Sequence, residues 1–385
     1  MGRPARVLSI LASLSIVVGA AAPAQSDTIR AQQWHLDVMH AGGMWKTSTG
    51  SGVTVAVVDS GVDDSVPDLH GRVLPGKDFT DFSGNAHSDY GGHGTRMAAL
   101  IAGAGKSGSA DGAFGLAPGA KILPLRVNDG SKSVLRTDPV DSIEKAIRYA
   151  ADSDAKIINV SLSLPGASGA EAEAVNYAVA KGKLVVAAVG GMGRKYNPVL
   201  YPAGFPGVVG VGAVDRDLRV TKESERGPQV DLVAPGKGIV SACKGETGFC
   251  RSEGTGESTA LASASAALIW SKHPDWTANQ VTRVLLNTAG GPVNGDKRND
   301  AIGYGMVRPR IALKTPGDPG PPDTSPLADA NSRAPKPTLI KGPALRQSAE
   351  ETSPALDSVL WIALGAGGVV VAVAAAVFIR RRRGT

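Results

Sequence analysis

The chain has 385 residues, 42% apolar and 4% aromatic, with 49 glycines and 25 prolines, a globular composition that excludes collagen-like and wholly disordered chains. Arg3 and Arg6 at one end and Arg380 to Arg383 at the other account for the whole formal charge of +6, so residues 25–379 are neutral and lack the basic face of a nucleic-acid binder. Two cysteines are too few for a four-thiolate zinc site or an iron–sulfur cluster.

Residues 1–24 read as a signal peptide: Arg3 and Arg6, an uncharged run from Val7 to Ala22, then the small-x-small site Ala22-Pro23-Ala24. An uncleaved membrane helix is the alternative, although a span wants about 20 residues. The globular body is 25–313. Short β-branched runs at Val53–Val58, Lys121–Val127, Lys156–Ser161, Leu184–Val189 and Val208–Val214 predict strands buried on both faces. Helices are predicted between them: one capped by Asp138 with Pro139 at its first position, one over Glu171–Lys181 stopped by Gly182, an all-apolar one over Ala260–Trp270, and one opened by the capping box Thr277–Gln280. This alternation predicts an α/β fold with a mostly parallel sheet, whose ligands sit at the carboxyl ends of the strands.

Residues 314–358 hold nine prolines and no aromatic residue, which predicts an extended, disordered stalk. Residues 359–379 carry no charge and reach roughly 30 Å as a helix, enough for a single transmembrane span. A buried core helix is the alternative. Arg380 to Arg383 follow at once, which places the tail 380–385 in the cytoplasm and the body outside the cell membrane. In that oxidising compartment Cys243 and Cys250 are expected to form a disulfide, with two free thiols as the alternative.

Chemistry gathers at two places. Asp59 closes the strand in Val57-Val58-Asp59-Ser60-Gly61, where it is either a partnered buried carboxylate or a turn-forming residue. His93 lies in Gly91-Gly92-His93-Gly94-Thr95, either an open imidazole at a helix start or a surface histidine. Together Asp-Ser-Gly-Val after a strand and Gly-His-Gly-Thr before a helix resemble the subtilase family of serine endopeptidases. Phe114–Ala120, Ile157–Ser163 and Leu232–Gly236 are similar to further family segments. Signal, stalk, span and basic tail, with Gln33-Trp34-His35-Leu36 near the mature start, resemble the mycosins, membrane-anchored subtilases of type VII secretion systems.

The resemblance implies the subtilisin-like three-layer fold, with Asp59 orienting His93 and His93 serving as proton carrier. It implies that Ser161, Leu162 and Ser163 pair with an extended polypeptide. It also exposes two departures. The family nucleophile lies twelve residues before the Leu of an Ala-Ala-Leu run, here Leu268, so its position is Gly256. The Asn that donates to the oxyanion is replaced by Gly191. Ser258 is the fallback nucleophile if the helix starts two residues late. Two readings follow: an active endopeptidase using Ser258, or an impaired pseudoprotease that binds or scaffolds polypeptide in a type VII secretion-like complex. No cofactor is expected. Asp63, Asp64 and Asp68 lack the spacing of a calcium loop and read as a solvated loop, so no metal site is expected either.

Overall fold

Alternate side chains of strand β1 (Thr54–Asp59) enter different cores: Val55 and Val57 join one apolar cluster, Ala56 and Val58 the other. A strand with no polar face must be covered on both sides. The same alternation runs through β4 (Ile157–Val160), β5 (Leu184–Ala188), β6 (Val208–Val214) and β7 (Leu232–Pro235). With β2 (Lys77–Asp78) and β3 (Lys121–Arg126) these strands form a seven-stranded sheet in the order β7-β6-β5-β4-β1-β3-β2. Every pairing in it is parallel. The computed structural model describes residues 28–106, 112–128, 139–245, 247–327 and 339–340.

Helices α1 (His93–Ala102) and α4 (Thr255–Lys272) cover one face of the sheet, and α2 (Pro139–Asp152) and α3 (Gly169–Ala180) the other. Helix α4 is buried from Thr255 to Trp270 and runs beneath five of the strands, β1, β4, β5, β6 and β7. Helix α5 (Ala278–Asn287) opens with the predicted capping box of Thr277 and Gln280, and α6 (Pro309–Lys314) closes the body. A hairpin of β8 (Ile239–Ala242) and β9 (Phe249–Ser252) carries the Cys243–Cys250 disulfide, with a Cα–Cα separation of 5.8 Å.

The predicted strands stand within one or two residues of their observed limits. Two helices start early. Ser168 caps α3 by accepting from the Glu171 amide, which moves its start two residues before the predicted one. Helix α4 begins at Thr255 instead of Ala260, because its Gly- and Ser-containing first turn is held by the tertiary structure and not by propensity.

The Pro-rich segment differs from the expected stalk over its first part. Prolines leave their carbonyls free to accept. Arg283 of α5 donates to the carbonyls of Pro319, Pro321 and Thr324, Gln280 to that of Gly320, and Thr277 to that of Pro322. Leu327 is buried in the core. Residues up to 327 are therefore held against α5, and Leu339–Ile340 pairs with Ala167–Ser168. Asp68 also departs from the expected solvated loop. It is buried and accepts from the Ala113 amide, and burial raises its pKa. Among the described residues no helix is long and apolar enough to cross a membrane. Residues 1–24 and 359–385 lie outside the described residues.

Candidate active site

In a parallel sheet all strands end on the same side, and here five consecutive ends present Asp59, Ser161, Gly190, Asp215 and Gly236 in a row from β1 to β7. Asp59 is fully buried, and its Oδ1 accepts from the Ser60 amide at 2.8 Å and from His93 Nδ1 at 2.7 Å. Helix α1 can approach this closely because residue 94 is glycine. An added Cβ there would stand 2.1 Å from the Gly61 carbonyl and 3.0 Å from Asp59 Cβ.

Asp89 holds the start of α1 and was not singled out from the sequence. It is buried. Its Oδ1 accepts from the Gly92 amide at 2.7 Å and from Ser60 Oγ at 2.9 Å, and its Oδ2 accepts from the Thr95 amide and hydroxyl at 2.9 and 2.6 Å. A carboxylate near the first turn of a helix is favourable. The Asp four residues before His93 was the available signal.

The His93 side chain is 28% exposed, with its Nε2 side facing Gly256. A Cβ added at Gly256 would lie 3.4 Å from Nε2, 3.1 Å from the Ser161 carbonyl oxygen and 3.4 Å from Ser161 Cβ. Ser258 lies elsewhere. Because α4 starts at Thr255, position 258 is rotated roughly 200° from position 256. Its hydroxyl is buried and donates to the carbonyls of Ala234 and Pro235 at 3.0 and 3.2 Å. The fallback placement of Ser258 beside His93 is thus corrected: its hydroxyl is spent on β7.

Gly191 follows β5 with open space around it, since an added Cβ would meet nothing within 4 Å. Its neighbours are pinned: the Gly190 amide donates to Thr255 Oγ1 at 3.2 Å, and the Met192 amide to Glu225 Oε1 at 3.3 Å. Burial pushes the Glu225 carboxyl up to about 7, against that amide hydrogen bond. Ser161 turns its hydroxyl to the Gly256 carbonyl at 3.0 Å, and Asn159 donates to Ser161 at 3.0 Å, while Leu162 and Ser163 are half-buried beyond it. At the tip of the disulfide hairpin Lys244 forms an ion pair with Asp63, 3.3 Å away. Among the described residues no three His, Cys, Asp or Glu side chains stand together as a metal site.

This geometry agrees with a match to the subtilase family model over residues 50–305. The chain is a subtilase. The subtilase is 38% identical over 243 residues to subtilisin E of Bacillus subtilis (strain 168), covering 63% of this chain and 61% of that protein. It is 39% identical over 229 residues to a thermophilic serine proteinase of Bacillus sp. (strain AK1), covering 59% and 55%. The matches thus span less than two thirds of these relatives. Among solved structures, MycP1 from Mycobacterium smegmatis superposes with a TM-score of 0.65 at 28% identity, over 78% of this chain and 89% of that one. The MycP3 protease from the type VII (ESX-3) secretion system gives 0.64 at 32%, over 75% and 90%.

Glu257 is, after Asp89, a second charged residue of the site that the sequence motifs do not mark. It is buried in the first turn of α4, next to Gly256. Burial disfavours a charged His93, but the Asp59 carboxylate outweighs it and Glu257 adds to the effect, with Arg96 opposing, so that His93 is pushed up to about 9. This shift favours the protonated ring at neutral pH. A folded-state pKa above the unfolded one stabilises the protein below about 6.5, and this contribution is lost as pH rises through about 9. Replacing Glu257 by Gln should lower the proton affinity of His93 by about tenfold, because one of two neighbouring negative charges is removed. NMR titration of the His93 ring checks this; an unchanged midpoint would show that Glu257 does not act on it.

Proposed function

We propose that this subtilase is a membrane-anchored, extracytoplasmic pseudoprotease that holds extended polypeptide without hydrolysing it. The observation that carries this reading is the bare Gly256 opposite His93 Nε2, where the reaction needs a hydroxyl. Gly191 offers no side-chain donor to an oxyanion, and the raised pKa of His93 makes it a poor base at neutral pH. The retained strand ends and the Ser161–Ser163 segment leave a cleft into which a peptide can pair. The likeness to MycP1, described as a component of the type VII (ESX-1) secretion system, supports a scaffolding place in such a complex.

The signal at 1–24, the span at 359–379 and the arginines after it support a single-pass topology with the body outside. In this reading the body runs from 25 through the captured residues up to 327, the rest of the predicted stalk to 358 leads to the span, and 380–385 is the cytoplasmic tail. Cys243 and Cys250 are bonded, as suits that compartment. Protease added to intact spheroplasts should digest the body; full protection would refute the topology. The pseudoprotease reading is tested with a serine-reactive fluorophosphonate, which should leave the wild-type chain unlabelled. Stoichiometric labelling of any residue in the cleft would overturn it.

A further inference from the structure

The row of strand ends continues past Gly190 to β6 and β7, two strands and so about 10 Å further along the sheet. There a cavity of about 610 Å³ opens, lined by Trp34, Asp215, Arg216, Asp217, Lys237 and Arg251 among others. Its walls are fixed by the fold. Gln33 anchors the N-terminal wall by donating to the carbonyls of Phe114 at 2.8 Å and Val240 at 3.1 Å. Trp34 donates its indole N–H to the Lys237 carbonyl at 3.2 Å, and Arg216 lies over the Trp34 ring, 5.9 Å from its centroid. Arg251 reaches across from β9 to the Gly238 carbonyl at 3.3 Å.

The charges of this cavity are unbalanced. Among the described residues neither Arg216, Lys237 nor Arg251 has a carboxylate within ion-pair distance. Asp215 is engaged locally, its Oδ1 accepting from the amides of Asp217 and Arg219, both at 3.0 Å. The lining therefore carries three cations against two carboxylates, one of which, Asp215, is already engaged by backbone amides. The cavity is also joined to the candidate active site by its backbone. The Gly254 amide donates to the Gly236 carbonyl at 2.8 Å, which ties the residue before Lys237 to the cap of α4.

We propose that this cavity is an exosite for an acidic stretch of the polypeptide that the cleft holds. The proposal rests on the part of the functional reading that places polypeptide in the cleft, not on the loss of hydrolysis. Its volume takes a few residues, its cations supply charge-assisted hydrogen bonds to carboxylates, and its place on the row of strand ends lets one extended chain span both sites.

The test uses the full chain in detergent, with hexaglutamate, hexaglutamine and inorganic phosphate as probes. Hexaglutamate should bind, and added salt should weaken it. Hexaglutamine should not bind. Arg216→Glu combined with Lys237→Glu should weaken hexaglutamate at least tenfold and admit hexalysine, with the melting temperature unchanged because both side chains are exposed. Arg251→Gln serves as the conservative second variant and should weaken hexaglutamate less. No affinity for hexaglutamate, or equal affinity in the charge-reversed variant, overturns the proposal. Phosphate binding as tightly as hexaglutamate also overturns it, by showing a small-anion site. Fluorophosphonate labelling of the same protein reports separately on the pseudoprotease reading.

Discussion

Gly256→Ser should raise peptidase activity well above that of the wild-type chain and give a hydrolase that works best in alkaline solution. Position 256 has no positive φ, and the added Cβ stands 3.4 Å from His93 Nε2, so the new hydroxyl arrives next to the ring nitrogen that must take its proton. The Ser161 carbonyl, 3.1 Å from that Cβ, has to give by a few tenths of an ångström. In subtilisin the serine is worth about 10⁶ in kcat, of which the missing oxyanion donor here forfeits about 10²–10³, leaving about 10³–10⁴. Protonation of His93 limits the rate further. With its pKa near 9, only about 1% of the ring is neutral at pH 7, so the rate should climb about 100-fold between pH 7 and the plateau. Initial rates on an extended chromogenic peptide across this pH range check the prediction. Absence of activity at every pH would mean that the cleft has lost more than its hydroxyl.

Gly191→Asn, added to Gly256→Ser, should raise kcat by a further 10²–10³-fold and leave KM nearly unchanged, because an oxyanion donor acts on charge that exists only in the transition state. The change is sterically free: nothing lies within 4 Å of the added Cβ, and Gly191, unlike Gly190 with φ of 114°, does not occupy the left-handed region. The pinning of Gly190 by Thr255 and of Met192 by Glu225 holds the peptide on either side, so the new amide is carried on a fixed segment. In the Gly256 background the same change should give a far smaller gain in absolute rate, since only direct attack by water is then available. A gain confined to KM would assign residue 191 to substrate binding instead.

The central strands and the Thr277 capping box were legible because each is specified locally: a run such as Val55–Val58 has no polar face, and Thr277 and Gln280 satisfy one another's backbone within one turn. The motif around Asp59 and His93 was legible for a related reason, since glycine at 94 is demanded by a contact that admits no side chain. The identities at 256 and 191 were read by register alone. The placement of 256 opposite His93 followed from that register, but the partners of its neighbours did not, because they are set by the phase of α4 against β7 and α1. Ser258 illustrates this: two positions along the helix turn a hydroxyl from His93 to the carbonyls of Ala234 and Pro235. Glu257, Asp89 and Arg283 act on partners brought near by the fold, and a carboxylate or guanidinium in sequence carries no mark of which amide, ring or proline carbonyl it will meet. The sequence by itself determined the strand and helix order and the glycines at 256 and 191. The tertiary structure decided which charges surround His93, where the Pro-rich segment is captured and which cations remain unpaired, because electrostatics and hydrogen bonding depend on distances that only packing sets.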